Sequence, residues 1–494
     1  MNNKSYDVIV VGAGNAALCA ALSAREQGAK VLVLERAPRE ERGGNSAFTA
    51  GGFRMVSHGL EDVRKFVDLS EEEIATTDFE DYTAEQFLDD LGRITEYRID
   101  PDLAEVLVHR STDTVLWLRK KGVRFVPRYG NQAFKHEGRF KFFGGIVVGT
   151  NGGVSLVDSE IKAAEEQGVA IRYNTQATAL LHGRAGVEGV RIIEDRVEED
   201  IRARAVVLAC GGFESNREWR TRYLGPGWDL VKVRGTRYNT GDGIRMALDI
   251  GAQPCGNWSS AHACEWDMNA PEYGDLNVGD SFSKHSYPLG IMLNANGLRF
   301  CDEGEDVYNY TYAKLGPALL AQPGQFAWQI FDSKVIAKLR SSYRIKRSTK
   351  VTAQSLEELL GKLDGVNKEQ ALKTIREYNA AVNQNVPLNP NEKDGRGTLG
   401  LPVPKSNWAQ TIDTPPFEAH GVTCGITFTF GGLKITTDAE VVDMREKPIP
   451  GLYAAGELVG GVFYFNYPGG AGLMNGAVFG RIAGTNAGRY VTRS

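Results

Sequence analysis

The first residues with a clear chemical use lie in YDVIVVGAGNAALCAALSAREQGAKVLVLER, residues 6–36. Gly12, Gly14 and Ala16 follow an apolar strand pattern and precede an alanine-rich helix pattern. Small residues at such a turn let a pyrophosphate reach the helix N-terminus, where free N–H groups and the helix dipole stabilise negative charge. Glu35 ends the second strand pattern, where a carboxylate accepts hydrogen bonds from a ribose. The spacing therefore predicts a dinucleotide-binding βαβ unit.

A second run of small residues follows in RAPREERGGNSAFTAGG, residues 36–52. A plain NAD-binding unit has no need for this loop, whereas a longer cofactor with a ring system beyond the first loop does, so FAD is favoured. Later strand patterns also end in small residues, at ACGGF (209–213) and GLYAAGE (451–457). In TGDG, residues 240–243, Asp242 either caps the following helix or contacts the cofactor. A glycine turn in an unrelated α/β protein is the alternative to the whole interpretation.

The order of helix and strand patterns predicts an α/β fold with a discontinuous, Rossmann-like FAD-binding domain and an inserted α+β capping domain. We expect the first part of the FAD-binding domain at residues 1–255, including a charge-rich helical insertion at about 60–130. The capping domain is expected at 256–395 and ends in the proline- and asparagine-rich segment NVPLNPNEKDGRG. Residues 396–494 are expected to return to the FAD-binding domain.

The bulk composition excludes several classes of protein. The 494 residues carry a net charge of -5, which gives no reason to expect nucleic acid or an anionic membrane as a partner. The six cysteines have no paired spacing, so no disulfide framework, zinc site or other metal site is predicted. The N-terminus lacks a leader pattern, and no apolar run approaches the about 20 residues that span a bilayer. We therefore expect a soluble cytoplasmic protein.

These motifs and their order resemble the FAD-dependent oxidoreductases related to the fumarate reductase and succinate dehydrogenase flavoproteins. GGNSAFTAGG, ACGGF, TGDG, GLYAAGE and FGRIAG carry the resemblance over nearly the whole chain. Within that superfamily, GRFKFFGG, NYTYAKLG, GITFTFGGLKI and FNYPGGAGL look most like the tricarballylate dehydrogenase branch. The YPG element at 467–469 is also similar to 3-ketosteroid Δ1-dehydrogenases.

The resemblance implies an FAD domain and a mobile cap that hold the substrate between them over the flavin. It implies that a hydride passes between a substrate carbon and flavin N5 while a proton moves at the adjacent carbon, which a carbonyl or carboxylate acidifies. No histidine suited to covalent flavin attachment is evident, so we expect non-covalent FAD. The expected cofactor contacts, including those from the spacing argument, are Gly12, Gly14, Ala16, Glu35, Arg36, Gly43, Gly44, Asn45, Gly51, Gly52, Ala177, Gly211, Gly241, Asp242, Gly456, Glu457, Gly472 and Leu473.

The chain departs from the fumarate reductase pattern where those enzymes bind and protonate their substrate. Thr427 and Phe428 stand in the region of a histidine, and Tyr467 stands in place of a carboxylate-binding arginine. In the cap, Val307 and Tyr308 occupy the region of a catalytic arginine. A guanidinium binds a carboxylate through two parallel hydrogen bonds, whereas a tyrosine hydroxyl suits a ketone oxygen.

3-Ketosteroid Δ1-dehydrogenases use tyrosines at comparable places. By this resemblance Tyr308 is the candidate catalytic base, Tyr467 the carbonyl donor, and the N–H of Ala471 the backbone partner of that donor. A tyrosine with a pKa near 10 is a poor base unless nearby dipoles or cations stabilise its phenolate. A packed cap aromatic is the alternative role of Tyr308.

The cationic segment FKHEGRFKF, residues 134–142, offers another substrate contact. On a strand, Lys135, Arg139 and Lys141 share one face, so we expect Arg139 as a catalytic cation and Lys135 and His136 as binders of a substrate carboxylate. A solvated basic face is the alternative. Further candidates for substrate contact, each with a structural role as its alternative, are His262, His285 and Trp266.

The leading hypothesis is an FAD-dependent dehydrogenase, desaturase or ene-reductase acting on a carbon–carbon bond next to a carboxylate or ketone, similar to tricarballylate dehydrogenase. The alternative is a desaturase of a cyclic ketone or keto acid that uses Tyr308 and Tyr467. A flavin monooxygenase or halogenase and a non-catalytic flavin-binding protein are hypotheses from other classes. We expect a small carbonyl or carboxylate substrate and no nucleic acid. Oxygen, a quinone and an iron–sulfur partner protein are all left open as the electron acceptor.

Overall fold

The computed structural model describes residues 6–130, 132–142 and 145–492. Two sequence-based predictions involve residues outside these ranges. The predicted absence of a leader pattern concerns residues 1–5, and the GRFKFFGG motif includes Phe143 and Gly144. The helices, in chain order, are α1 (Asn15–Glu26), α2 (Gly59–Phe66), α3 (Glu71–Thr76), α4 (Ala84–Ile94), α5 (Pro101–Lys120), α6 (Gly153–Glu166), α7 (Arg217–Trp219), α8 (Asp242–Asp249), α9 (Tyr312–Leu320), α10 (Ser333–Ile336), α11 (Leu356–Gly361), α12 (Lys368–Ala381) and α13 (Ala471–Thr492).

The strands run from one end of the chain to the other and are numbered in the same way. They are β1 (Val8–Val11), β2 (Val31–Leu34), β3 (Thr77–Phe79), β4 (Val126–Pro127), β5 (Lys135–His136), β6 (Arg139–Phe142), β7 (Val148–Gly149), β8 (Ala170–Arg172), β9 (Gln176–Gly183), β10 (Gly186–Glu194), β11 (Val197–Arg202), β12 (Ala205–Leu208), β13 (Lys232–Val233), β14 (Pro254–Asp267), β15 (Ile291–Asn294), β16 (Phe326–Asp332), β17 (Lys350–Ala353), β18 (Phe417–Leu433), β19 (Glu440–Val442) and β20 (Pro448–Ala454).

The first sheet carries the predicted βαβ unit. Its six strands lie in the order β19-β20-β12-β1-β2-β8, and all neighbours are parallel except β19 and β20. The residues of β1 and β2, VIVV and VLVL, are buried throughout, as expected for strands covered on both faces of a parallel sheet. Because β1 leads through α1 into β2, the predicted βαβ unit of an α/β fold is confirmed.

The first and last helices pack with their backbones in close contact. The side of α13 that faces α1 carries a glycine at every fourth residue, namely Gly476, Gly480, Gly484 and Gly488. A methyl group at Gly480 would lie 2.4 Å from the Ala16 carbonyl oxygen, and one at Gly484 would lie 2.0 Å from the Ala20 carbonyl oxygen. No Cβ atom fits at such distances, so glycine is required for the helices to meet.

The capping domain is built around a second six-stranded sheet. Its central strand, β18, pairs with β13, β14, β16 and β17, and β15 extends the sheet through β16. Residues 417–433 had been expected in the returning FAD-binding segment 396–494, but their pairing places them in the cap sheet. The chain rejoins the first sheet later, at β19 and β20. Pairing between strands so distant in sequence produces no local sequence pattern. A proline- and asparagine-rich loop does produce one, so the sequence-based domain boundary falls at that loop.

Helices α2 to α5 lie within or beside the expected helical insertion at 60–130. Local sequence explains where they begin, because Ser70 and Thr83 form capping boxes at α3 and α4, and Asp100 caps α5 ahead of Pro101. Over the described ranges, no helix is long and apolar enough to cross a membrane. The same residues contain no group of three or more His, Cys, Asp or Glu arranged to hold a metal ion.

A buried carboxyl in α6 makes the stability of this domain depend on pH. Glu160 is fully buried, its Oε1 atom lies 3.6 Å from the Cys19 thiol, and its Oε2 atom has no hydrogen-bond partner in the described structure. Burial raises the pKa of Glu160 well above its ordinary value. The protonated group therefore stabilises the fold at low pH, and this contribution is lost as the pH rises through the raised pKa.

We expect Glu160→Gln to become more stable than the wild type as the pH rises, because glutamine never has to ionise inside the core. The gain in free energy of unfolding should reach about 1–3 kcal/mol near neutral pH. Urea unfolding of both proteins over a pH series measures it. Glu166→Gln, an exposed change in the same helix, is the matched control, and parallel pH curves for wild type and Glu160→Gln would contradict the prediction.

Candidate active site

A cavity of about 610 Å³ lies between the first sheet and the cap. Val11, Leu34, Ala209 and Ala455 line it at the carboxyl ends of β1, β2, β12 and β20. In an open α/β sheet this edge is where ligands bind. The cap closes the opposite wall with residues from several separate segments. One end of the cavity is therefore formed largely by backbone, and the other by cap side chains.

The backbone end presents the N-terminus of α1 to the cavity. Helix α1 begins at Asn15, and its N-cap residue, Gly14, provides no side-chain hydrogen bond to the first turn. Gly12 has a φ of 105°, and a methyl group there would lie 2.5 Å from the Ala209 carbonyl oxygen. The turn therefore requires glycine, and it leaves N–H groups of the first helical turn available to an anion such as a pyrophosphate.

Glu35 lies at the same end and is fixed by the backbone. Its carboxylate accepts the N–H of Ala13 at 3.0 Å and the N–H of Ala37 at 2.7 Å. Burial raises the pKa of Glu35, while these two N–H groups lower it. A carboxylate held in this way is suited to accept hydrogen bonds from the hydroxyls of a ribose.

Arg36 and Asp242 form an ion pair on the adjoining wall. The guanidinium Nη1 of Arg36 lies 2.9 Å from Asp242 Oδ2, which also accepts a hydrogen bond of 3.0 Å from Gln176 Nε2. The N-cap of α8 is Gly241, so the Asp242 carboxylate serves this ion pair and not the helix. The sequence left two roles open for Asp242, a helix cap and a cofactor contact. Its position on the cavity wall fits the second role.

The backbone end fits an extended dinucleotide. Gly44 and Gly152 line the cavity at positive φ, and a methyl group on either would meet no atom within 4 Å. Their open backbone surface faces the space that a ligand would occupy. A helix N-terminus whose N-cap residue is glycine, a fixed carboxylate and bare glycine backbone together match the pyrophosphate, ribose and chain of FAD.

All but two of the predicted cofactor residues line this cavity. The exceptions are Gly43 and Gly241, which both have positive φ. A methyl group at Gly43 would lie 2.8 Å from Val157, and one at Gly241 would lie 2.7 Å from Trp219. These glycines shape the turns that precede the cofactor contacts, and they do not face the cavity themselves.

The segment 466–473, called here the glycine loop, joins the backbone end to the cap end. Asn15 Nδ2 donates a hydrogen bond of 2.8 Å to the Leu473 carbonyl oxygen. Arg54 is fully buried and donates from Nε to the Gly469 carbonyl oxygen at 2.8 Å. Arg54 also donates to the hydroxyl of Tyr310 at 3.1 Å, so a single buried guanidinium connects the glycine loop to the cap.

A pair of tyrosines lies where the glycine loop meets the cap. The hydroxyls of Tyr312 and Tyr467 are 2.5 Å apart, and both residues line the cavity. The buried His262 ring packs edge-on against both, with centroid distances of 4.9 and 4.8 Å. Burial raises the pKa of both tyrosines, so both hydroxyls keep their protons at neutral pH. One hydroxyl proton forms the hydrogen bond between the two tyrosines, and the other hydroxyl proton can be donated to a substrate oxygen.

Tyr308 lines the same end between two polar rings. The Arg340 guanidinium lies 3.7 Å from the centroid of the Tyr308 ring, and the His285 ring stacks at 5.9 Å. The Tyr308 hydroxyl accepts a hydrogen bond from Gln132 Nε2, which leaves its own proton free to be donated. The Arg340 guanidinium makes a cation–π contact with the ring.

The cap end carries more positive than negative charge. Among the described residues lining this end, the charged groups are the guanidiniums of Arg128, Arg234 and Arg340 and the carboxylate of Asp280. Arg234 pairs with Asp280 at 2.6 Å and donates to Thr427 Oγ1 at 3.1 Å. The Nε atom of Arg128 is buried and has no hydrogen-bond partner in the described part of the chain. This end is therefore suited to an anionic ligand.

The structure places the cationic segment predicted from sequence away from the cavity. Strand β6 lies beside β3, so Arg139 forms an ion pair with Asp78 instead of facing a substrate. Lys135 is exposed and His136 half-buried, and neither is among the described residues that line the cavity. This placement supports the alternative of a solvated basic face, because the side chains of Lys135 and Arg139 are both exposed.

Trp266 and Ala471 also differ from their expected roles. Trp266 is buried in the core, with its ring 5.6 Å from that of Phe282, and does not line the cavity. The N–H of Ala471 donates to the Pro468 carbonyl oxygen at 3.1 Å, since Ala471 begins α13 at a turn. That N–H is already used and is not available as the backbone partner of Tyr467.

Four residues of the cap end were missed from sequence. Tyr312 follows Tyr308 by four residues within NYTYAKLG, and that spacing is the one local signal available. Arg128, Arg234 and Arg340 come from three unrelated segments, so no motif connects them.

We expect Glu35→Gln to weaken FAD binding. The amide nitrogen of glutamine would face one of the two N–H groups that now donate hydrogen bonds to the carboxylate. The loss should be about 10- to 100-fold in affinity, as for hydrogen bonds to a charged group. Titration of the apoprotein with FAD, followed by flavin fluorescence, measures it. Glu40→Gln, an exposed change nearby, should bind as the wild type does, and equal affinity of all three proteins would contradict this role of Glu35.

Comparison with known proteins gives relatives over nearly the full chain. A probable fumarate reductase, Ifc3, from Shewanella frigidimarina is 31% identical over 99% of this chain and 76% of its own length. A vinyl phenol reductase from Lactiplantibacillus plantarum is 29% identical over 99% of this chain and 97% of its own length. The solved structure of 3-ketosteroid Δ1-dehydrogenase from Sterolibacterium denitrificans shares the fold, with a TM-score of 0.73 and 21% identity over 98% of this chain and 99% of that one.

The family model described as "FAD binding domain" matches residues 7–473. This range includes the helix N-terminus at Asn15, the fixed Glu35 carboxylate and the glycine loop, whose arrangement fits FAD. Two of the proteins named above are reductases and the third is a dehydrogenase, as their names state. This chain belongs to the FAD binding domain family and is an FAD-dependent oxidoreductase acting on carbon–carbon bonds of the CH–CH class.

Proposed function

We propose that the substrate is a carboxylic acid and that the enzyme interconverts its saturated form and the form with a double bond next to the carboxylate. The observation that carries this proposal is the surplus of positive charge at the cap end, where three guanidiniums face one carboxylate. A desolvated surplus of this kind is unfavourable until an anion binds, and a carboxylate supplies that anion. Tricarballylate and other acids with more than one carboxylate belong to the same class.

The arginines have distinct positions around the bound acid. Arg234 is neutralised by Asp280 and fixed by Thr427, so its role is to orient. Arg128, with an unpartnered Nε, lies near Tyr308 and offers the hydrogen-bond donors that a carboxylate oxygen requires. A guanidinium keeps its charge at any working pH, so binding of the acid should not depend on protonation of the arginines.

FAD bound in the cavity supplies or accepts the hydride of this reaction at N5 of its ring system. The chain contributes the surrounding conditions. The glycine loop and the cap enclose the reacting carbons and exclude water, which strengthens the electrostatic interactions there. Tyr308, Tyr312 and Tyr467 offer hydroxyl protons to the substrate oxygens, and Tyr308 is the sequence-based candidate for moving the proton.

The tyrosine pair favours a second candidate substrate, a cyclic ketone or keto acid. Two hydroxyls 2.5 Å apart at the end of a cavity form a donor site for one carbonyl oxygen. The similarity in fold to a 3-ketosteroid Δ1-dehydrogenase fits this idea, although Ala471 cannot contribute its N–H. A keto acid would use both the tyrosines and the arginines.

A substrate panel tests the proposal. We expect the FAD-loaded enzyme, reduced anaerobically with dithionite-reduced methyl viologen, to consume fumarate, acrylate, urocanate or cis-aconitate but not 4-vinylphenol or cyclohexenone. Arg128→Gln should raise KM for the accepted acid about 10- to 100-fold, the effect of losing a charged hydrogen bond. The exposed Arg124→Gln is the matched control. Turnover of only the uncharged compounds would overturn the carboxylate assignment.

Tyr467→Phe separates the two substrate classes. If a ketone oxygen is polarised by the tyrosine pair, loss of one hydroxyl should lower kcat about 10²- to 10³-fold, as for an oxyanion donor. If the arginines hold a carboxylate instead, which is the result we expect, kcat should fall by no more than about 10-fold. Steady-state kinetics with the best compound of the panel measure this. Tyr464→Phe, just outside the cavity, is the control.

A further inference from the structure

A buried glutamate–histidine pair lies behind the tyrosines. His285 Nδ1 is 2.8 Å from Glu265 Oε2, and the two side chains are 5% and 0% exposed. The His285 ring lines the cavity and packs against the rings of Tyr308 and Tyr312, at 5.9 and 4.9 Å. The pair is the one His–carboxylate contact among the described residues that reaches the cavity wall.

Both members of the pair have an unused polar atom. In the described structure neither His285 Nε2 nor Glu265 Oε1 has a hydrogen-bond partner, although both atoms are buried. An unsatisfied buried polar atom costs about 1–3 kcal/mol, so it is rarely kept without a use. For an imidazole on a substrate cavity, a substrate atom is the natural partner.

We propose that Glu265 and His285 are the proton-carrying pair of the active site, in which His285 exchanges a proton with the substrate carbon and Glu265 restores it through Nδ1. The inference rests on the proposed function, since it needs a reaction that moves one hydride and one proton. His285 is then the catalytic residue of the pair, and Glu265 is its positioning and proton-supplying partner. Tyr308 orients the substrate and is the competing candidate for the proton.

The transfer balances without a charged imidazole. In the direction of reduction, a hydride from the reduced cofactor forms one C–H bond, and the Nε2 proton forms the other on the adjacent carbon. As the Nε2–H bond breaks, Nδ1 takes the proton of the Glu265 carboxyl, so the pair ends as a neutral imidazole hydrogen-bonded to a carboxylate. One proton from water restores the pair before the next turnover. Dehydrogenation runs through the same steps in reverse, with the hydride accepted by the oxidised cofactor.

The surroundings favour this order of protonation. Burial raises the pKa of Glu265 well above its ordinary value, and burial together with Arg234 and Arg340 lowers the pKa of His285 well below its own. An added proton therefore goes to the carboxyl before it goes to the ring. The charged and titratable groups that interact with the pair are Arg234, Arg340, His262, Lys284, Tyr287, Tyr308, Tyr312, Tyr343, Cys264, Cys301 and Cys424.

Glu265→Gln tests the pair in turnover, because glutamine keeps the shape of the side chain but holds no transferable proton. With the acid that the wild type reduces best, kcat should fall about 10²- to 10⁴-fold while KM changes little. The wild-type decrease in kcat as the pH rises through the pKa of the pair should disappear in the variant. Glu265→Asp, which keeps the carboxyl, should restore part of the rate and the pH dependence.

The matched control is a second buried glutamate–histidine pair. Glu418 Oε2 lies 3.3 Å from His420 Nε2 in the cap sheet, and neither residue lines the cavity. Glu418→Gln makes the same chemical change and should leave the pH profile of kcat as in the wild type. If Glu265→Gln keeps both its rate and its pH profile while Tyr308→Phe abolishes turnover, the phenol carries the proton and the proposal is overturned.

A measurement without substrate separates this inference from the proposed function. In the FAD-bound protein with ¹⁵N-labelled histidine, we expect the His285 ring to change from the Nδ1–H to the Nε2–H tautomer as the pH falls. The change should be absent in Glu265→Gln. If the His285 ring keeps one tautomer, or if it becomes doubly protonated, the proposed role of the Glu265–His285 pair is overturned, even if an acid substrate is found. If the enzyme accepts no acid of the substrate panel, the proposed substrate class is overturned. The tautomer measurement then still decides whether Glu265 and His285 exchange a proton.

Discussion

The close contact between the first and last helices is the constraint on which the cofactor end of this protein depends. Gly480 and Gly484 let the backbone of α13 reach the carbonyl oxygens of α1, with no room for a methyl group between them. This contact sets the start of α13 beside the start of α1. Asn15 can then bind the Leu473 carbonyl oxygen, so the glycine loop and the pyrophosphate-binding turn face one cavity.

The two ends of the cavity recognise their ligands by different physical means. At the cofactor end, backbone N–H groups and bare glycine backbone form most of the contact surface, which suits a long cofactor such as FAD. At the cap end, side chains of arginine, tyrosine and histidine converge from separate elements. Buried Arg54 connects the two by binding both the glycine loop and Tyr310 of the cap.

The positive charge at the cap end comes from positions other than those that the fumarate reductase pattern suggests. Tyr467 and Tyr308 occupy regions where the fumarate reductase pattern has arginines, which by itself argues against an acid substrate. The fold brings Arg128, Arg234 and Arg340 to the same cavity from other parts of the chain. Guanidinium groups and tyrosine hydroxyls therefore line the same end of the cavity, although they come from separate parts of the chain.

The sequence by itself determined the features that depend on neighbouring residues. The βαβ unit, with Gly12, Gly14 and Glu35, follows from glycine spacing and strand–helix patterns, because turn geometry and helix N-termini are local. The family, the other predicted cofactor contacts, and Tyr308 and Tyr467 follow from the resemblance of sequence motifs to known flavoproteins. Only the tertiary structure decided which charges meet. It placed β18 in the cap sheet, paired Arg139 with Asp78, and assembled three arginines and the Glu265–His285 pair around one cavity. Contacts between residues in separate elements, from about 20 to more than 200 positions apart, leave no spacing to recognise, since they are set by how whole elements pack.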